Sequence, residues 1–178
     1  MLARDEQLDR AVVLKTLPQV RDTQVKILQR EAKTMASLNH PGLTNIYDVE
    51  SWRGLPVLVV EYLSGGTLNQ RLGRRRLNTN ETVALGAQFY DALQYLHDKG
   101  ILHRDIKPSN IGFDAFDRAK LLDFGFASAL DREDPARSYL AGTPKYLPPE
   151  TFQGVEPGTY RDMWALALVL YEAHTGAH

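Results

Sequence analysis

Two hydrophobic periods divide the chain. Ala11 to Leu17 is a β-branched run closed by Pro18, the pattern of a strand. Residues 23 to 38 place Val25, Ile27, Leu28, Ala32, Met35 and Ala36 at helical spacing, and Asn39, His40, Pro41 and Gly42 follow as a stop. Leu43 to Val49 and Leu55 to Tyr62 return to β-like runs, and the turn residues Arg53 and Gly54 between them predict a hairpin.

Beyond Ser64, Gly65 and Gly66 the helical period dominates. A short helix is expected near residues 67 to 73 and a longer one from Thr79 to Asp98. In the longer one Val83, Leu85, Ala87, Phe89, Leu93 and Leu96 form an apolar stripe wide enough to be largely buried. Lys99 and Gly100 end it, the lysine favoured at the negative end of the helix dipole and the glycine able to take a left-handed cap. A last, very apolar helix runs from Asp162 to about Thr175. Strands with one helix, followed by helices between glycine- and proline-marked loops, make an α+β layout.

Composition narrows the function classes. The 178 residues are 43% hydrophobic and 24% charged, which fits one soluble domain. A net charge of -1 gives no global footprint for nucleic acid. The chain has no cysteine, which excludes disulfides and thiolate-held zinc and favours a cytoplasmic setting. Its longest apolar run, Met163 to Tyr171, falls far short of the ~20 residues that span a bilayer. The start, MLARDEQLDR, lacks the apolar core of a secretory signal. One charge cluster, Arg71, Arg74, Arg75 and Arg76, is capable of binding phosphate but reads first as a solvated surface face at a helix end.

The chemistry concentrates between Ile101 and Asn110, ILHRDIKPSN, where no helix or strand core calls for His, Arg, Asp, Lys and Asn together. Asp123-Phe124-Gly125 follows thirteen residues after Asn110. An Asn and an Asp so placed suit Mg²⁺, a hard cation that takes oxygen ligands and leans on substrate phosphates for the rest. Phosphoryl transfer also needs a group to orient the attacking hydroxyl and a cation against the phosphate charge. Asp105 and Lys107 fit those two tasks.

Taken in order, Val12-Val13-Leu14-Lys15, Glu31, the loop His103 to Asn110, Asp123-Phe124-Gly125, Pro148-Pro149-Glu150, and Asp162 with Trp164 resemble the protein kinase family, in particular eukaryotic-like serine/threonine kinases of bacterial type. The resemblance implies a two-lobed fold. Residues 1–63 would form part of the small antiparallel-sheet lobe and the hinge, and residues 64–178 part of the mainly helical large lobe. The family's first strand, its Gly-rich loop and the last helices of its large lobe would fall outside the chain. Trp164, Leu166, Leu168, Leu170 and Tyr171 would then form an uncovered apolar patch.

The same resemblance implies an enzyme that transfers phosphate from ATP, with Mg²⁺ or Mn²⁺, to serine or threonine of protein substrates. Lys15 would hold the α and β phosphates, braced by Glu31. Asp105 would be the base, with Asn110 and Asp123 as metal ligands. Glu61 and Leu63 would meet the adenine edge through their backbone, Val60 would guard the back of the pocket, and Val13 and Gly112 would line the adenine faces. Gly112 stands where the family usually has a larger apolar residue, which predicts a looser floor. Lys107 and Thr143 mark the serine/threonine class, the threonine contacting the catalytic Asp and Lys. His103, Phe124, Met35 and Ile46 would stack internally, anchored by Asp162. Arg104 before Asp105 implies regulation by phosphorylation, with Ser138 as the acceptor. The alternative reading is a non-catalytic kinase-like fragment or regulatory module. Loss of catalytic motifs would favour it, and Lys15, Asp105, Asn110 and Asp123 are all present. A small-molecule phosphotransferase of the same fold is disfavoured by the segment Thr143 to Glu150.

Overall fold

The computed structural model describes residues 1–16, 32–52, 55–124 and 142–177. Four strands, β1 (Leu2–Asp5), β2 (Arg10–Thr16), β3 (Ile46–Trp52) and β4 (Leu55–Glu61), form one antiparallel sheet in the order β1-β2-β4-β3. Central placement of β2 and β4 follows from their β-branched content, and Val12, Val57, Leu58 and Val60 are buried. Register sets Val13 opposite Val60 and Lys15 opposite Leu58. Residues 32–36 are helical, with Ala32 and Met35 buried.

The remainder is mainly helical. Helix α1 (Leu68–Leu72) and helix α2 (Thr79–His97) each begin with a reciprocal capping box, Thr67 with Gln70 and Asn78 with Glu81, which satisfies first-turn N–H groups. A two-stranded hairpin, β5 (Ile111–Phe113) with β6 (Ala119–Leu121), and helix α3 (Thr159–Thr175) complete it. The α+β, two-lobed layout expected from the sequence is present. Among the described residues no helix is long and apolar enough to cross a membrane.

Several expected details are corrected. Val83 is 65% exposed and Ala87 also faces solvent, whereas Ala92 is fully buried. The buried face of α2 is therefore Leu85, Phe89, Ala92, Leu93 and Leu96, a stripe set by what packs on the helix, Gly42 against Ala92 among it, rather than by apolar content alone. Burying side chains such as Phe89 and Leu93 contributes about 1.5–3 kcal/mol each. The first strand of the predicted hairpin starts at Ile46, because Leu43 is bridged instead to Leu121 in β6 through the bonds that Gly42 and Thr44 make to it. The expected apolar patch on the last helix is smaller than predicted. Leu166 is buried, Leu168 and Leu170 are half-buried, and Trp164 and Tyr171 are exposed. Gly100 does take the left-handed conformation, at φ +70°.

The two lobes share one continuous core. Met35, Ile46, Leu58 and Val60 from the sheet side join Phe124, Ile106 and the α2 and α3 residues. Residues 42–45 seal the junction, with the Leu121 N–H donating to the Gly42 carbonyl and both the N–H and hydroxyl of Thr44 donating to the Leu121 carbonyl. That junction sets the floor on which the site is built.

Candidate active site

The segment 103–110 is too short and too polar to fold on its own contacts, and α3 holds it. Asp162, in the first turn of α3, accepts the N–H of His103 on Oδ2 and the N–H of Arg104 on Oδ1, both at 2.8 Å, and its Oδ2 lies 2.8 Å from His97 Nε2. Burial pushes the Asp162 carboxyl upward, but the His97 bond, the His103 ring and the two backbone N–H groups outweigh it and leave it below the ordinary value. The two peptide bonds it grips set the direction of the loop. Arg104 is thereby held at φ +70°, a conformation of the kind that persists where surrounding bonds over-determine it. At the other end of α3, Glu172 accepts the Tyr146 hydroxyl at 2.8 Å and lies 3.5 Å from Lys145 Nζ, which fixes the segment after Thr143.

Between these anchors four side chains meet. Thr143 Oγ1 donates to Asp105 Oδ1 at 2.7 Å and accepts from Lys107 Nζ at 2.9 Å. Lys107 Nζ also sits 2.7 Å from Asp105 Oδ2. Asn110 Nδ2 donates to Asp105 Oδ2 at 2.9 Å and to the Asp105 carbonyl at 2.8 Å. Burial raises the Asp105 carboxyl, but Lys107, Thr143 and Asn110 more than offset it, so the group is ionised at neutral pH. With its amide nitrogen used in this way, Asn110 keeps its amide oxygen free of hydrogen bonds among the described residues. That oxygen and the Asp123 carboxylate are hard donors of the kind Mg²⁺ takes, so the residues fit a divalent cation.

Asp123 lies at φ +61° and forms an ion pair with Lys15 from β2. Lys15, Val60, Ile46, Asp123 and Phe124 line one small cavity behind the junction. Val60 is buried there. Half-buried Val13 pairs with Val60 in the sheet register. The Leu63 N–H donates to no described residue. The looser floor expected at Gly112 is corrected: a Cβ there would lie 2.5 Å from Leu63 Cδ1 and 3.3 Å from Leu122 Cδ1, so those two leucines fill the space a larger residue would occupy. His103, Met35, Ile46 and Phe124 are all buried.

Among the expected site residues, Glu31, the expected brace for Lys15, and Ser138, the expected phosphate acceptor, lie outside the described residues, as do residues 23–31 of the predicted first helix, the turn residues Arg53 and Gly54, and Gly125. Among described partners the Lys15 ammonium meets Asp123. Sequence reasoning missed Lys120 and Asn45. The Glu61 carboxylate accepts from Lys120 Nζ at 2.7 and 2.8 Å, and its Oε2 accepts from the Asn45 N–H and side-chain amide at 3.0 and 2.9 Å. This nearly buried network joins β4, β6 and the junction loop through the last residue of β4. Its one legible signal was a lysine within the apolar run Ala119 to Leu122, a charge that needs a partner.

Comparison with known proteins agrees with this geometry. A family model described as "Protein kinase domain" matches residues 1–178. The chain is 36% identical to serine/threonine-protein kinase pkn3 of Myxococcus xanthus, over 98% of the chain and 34% of that protein. It is also 36% identical to serine/threonine-protein kinase PknB of Mycobacterium leprae, over 98% of the chain and 30% of that protein. The CBL-interacting serine/threonine-protein kinase 21 of Arabidopsis thaliana is 36% identical over 87% of the chain and 36% of its own length. The chain thus spans about a third of the length of these relatives. With its whole length matched and its loop, threonine and anchoring aspartate assembled in space, the chain belongs to the protein kinase domain family.

Proposed function

We propose that the chain carries the catalytic centre of an ATP-dependent kinase that phosphorylates serine and threonine hydroxyls of proteins. The observation that carries this reading is the closed network of Asp105, Lys107, Asn110 and Thr143, in which one ionised carboxylate is flanked by a cation and a hydroxyl. Asp105 orients the substrate hydroxyl and accepts its hydrogen bond as the oxygen attacks the γ-phosphorus and the bond to the ADP oxygen breaks. Lys107 stands 2.7 Å from that carboxylate, close enough to offset charge on the phosphoryl oxygens in the same place. Lys15, with Glu31 as its brace, holds the α and β phosphates. Asn110 and Asp123 would hold Mg²⁺, or Mn²⁺, which supplies charge neutralisation on the phosphates when bound.

Adenine would lie between Val13 and the floor at Gly112, read by the backbone of Glu61 and Leu63, with Val60 behind it. Residues 1–63 then act as the small lobe with its hinge and residues 64–178 as the large lobe. Arg104, beside Asp105, is the residue through which a phosphate on Ser138 would act. Protein substrates are supported by the segment Thr143 to Glu150, which resembles that of kinases acting on proteins.

Phosphate transfer to a generic basic protein tests the proposal, using radiolabelled ATP and Mg²⁺ with both the purified chain and its full-length gene product. Transfer to serine and threonine is expected, and Asp105→Asn is expected to abolish it. Absence of transfer in both forms, or an Asp105→Asn variant as active as the parent, overturns the reading.

A further inference from the structure

One charged side chain beside the site is not spent on it. Directly after Thr143 the chain makes a single helical turn, Pro144–Tyr146, closed by the Tyr146 N–H donating to the Thr143 carbonyl at 2.9 Å. Tyr146 is buried, and its hydroxyl donates to Glu172 Oε2 at 2.8 Å. Burial first, and then Glu172, raise that hydroxyl above the ordinary tyrosine value, so it keeps its proton and the bond. Lys145 therefore sits on backbone fixed from both sides, while its own side chain is 44% exposed.

Little answers the charge of Lys145. Glu172 Oε1 lies 3.5 Å from its ammonium, beyond the ~2.7–2.9 Å of a charge-assisted hydrogen bond. Among the described residues the ammonium otherwise faces the Tyr146 ring, 5.4 Å from the centroid. Lys107, by contrast, stands 2.7 Å from the Asp105 carboxylate. Glu172 is 19% exposed and already accepts the Tyr146 hydroxyl, so a basic group arriving there would meet the neighbouring ammonium as well.

We propose that Lys145 selects substrates, favouring those with an aspartate or glutamate within two residues of the serine or threonine to be phosphorylated. This selectivity rests on the kinase reading above. The acceptor hydroxyl must reach Asp105, and Thr143 Oγ1 lies 2.7 Å from that carboxylate. Lys145 follows Thr143 by two residues, so their backbones are no more than about 7 Å apart, the span of two extended substrate residues. A substrate carboxylate in that range gains a charge-assisted contact, whereas an arginine or lysine meets a like charge.

Serine peptides carrying a single aspartate or a single arginine at each of the two positions on either side of the acceptor test the proposal on the full-length gene product. For at least one position the parent is expected to show a kcat/KM at least about tenfold higher for aspartate than for arginine, with the ratio shrinking as salt is raised. Lys145→Arg is expected to keep that preference and Lys145→Glu to reverse it. A ratio between two substrates is insensitive to a general loss of activity, so a merely structural role for Lys145 would not move it. The same peptides with alanine at the acceptor, followed by fluorescence anisotropy, are expected to bind in the same order without turnover. A parent that favours arginine or neither charge at all four positions, or a Lys145→Glu variant that retains the parent's order, would overturn the proposal. Absence of transfer to every peptide counts against the kinase reading instead, and the binding order still decides the role of Lys145.

Discussion

Thr143 is the residue on which two roles converge, since one hydroxyl serves both the carboxylate and the ammonium of the proposed chemistry. Thr143→Val keeps its shape and removes that bridge. Turnover of a protein substrate is expected to fall about 10²-fold with little change in KM for ATP, because positioning of the base, and not nucleotide binding, is lost. An unchanged kcat would count against the network. One residue earlier, Gly142 lies at φ +116°, and a Cβ there would come within 2.5 Å of the Arg104 carbonyl oxygen. Because that oxygen belongs to backbone already fixed by Asp162, Gly142→Ala is expected to destabilise the fold by about 2–3 kcal/mol. Urea unfolding measures it, and a midpoint within error of the parent would refute the close approach.

At the scale of elements, β4, β6 and the junction loop meet through Glu61, whose side chain is 14% exposed beside a Lys120 side chain that is 8% exposed. A pair this enclosed is costly to break from one side, because the remaining charge stays in a poorly solvated place. Lys120→Met is expected to cost about 3–5 kcal/mol, and adding Glu61→Gln to recover part of that loss. Chemical denaturation of the single and double variants reads the difference. If the second substitution merely added to the first, the two charges would not be acting as a pair. Helix α3 has the comparable task in the large lobe, with Asp162 near its start gripping the loop His103 to Asn110 and Glu172 near its end holding the segment after Thr143.

For the molecule as a whole, these buried titratable groups set its response to acid. Burial keeps His103 below the ordinary value of 6.5 for a histidine. The unfolded chain takes up a proton there as pH falls through 6.5 while the folded chain does not. Stability from this site is therefore complete above 6.5 and is lost as pH falls toward the folded value. Asp162 and Asp105, both held below 3.8, keep their contribution above 3.8 and lose it as pH falls through their folded values. Melting temperature is expected to decline between pH 7 and pH 5, then more steeply below pH 4. His103→Gln is expected to flatten the first decline, and parallel slopes for parent and variant would exclude His103 as its source.

The meeting of Asp105, Lys107 and Asn110 was legible because their spacing is local: they lie within six positions of one short loop. The strands and long helices were legible for the same reason, since periods of two and 3.6 residues are properties of the backbone. Which face of α2 is buried was not, because periodicity leaves the partner unnamed, and Ala92, where Gly42 approaches, is buried while Val83 and Ala87 are exposed. Nor was the union of Glu61 with Lys120, 59 residues apart, or the refilling of the space at Gly112 by Leu63 and Leu122. The chain's sequence by itself determined its elements and the chemical groups of one loop. Tertiary structure decided which carboxylates are enclosed and which cations answer them, because burial and charge pairing arise only when distant segments exclude water together.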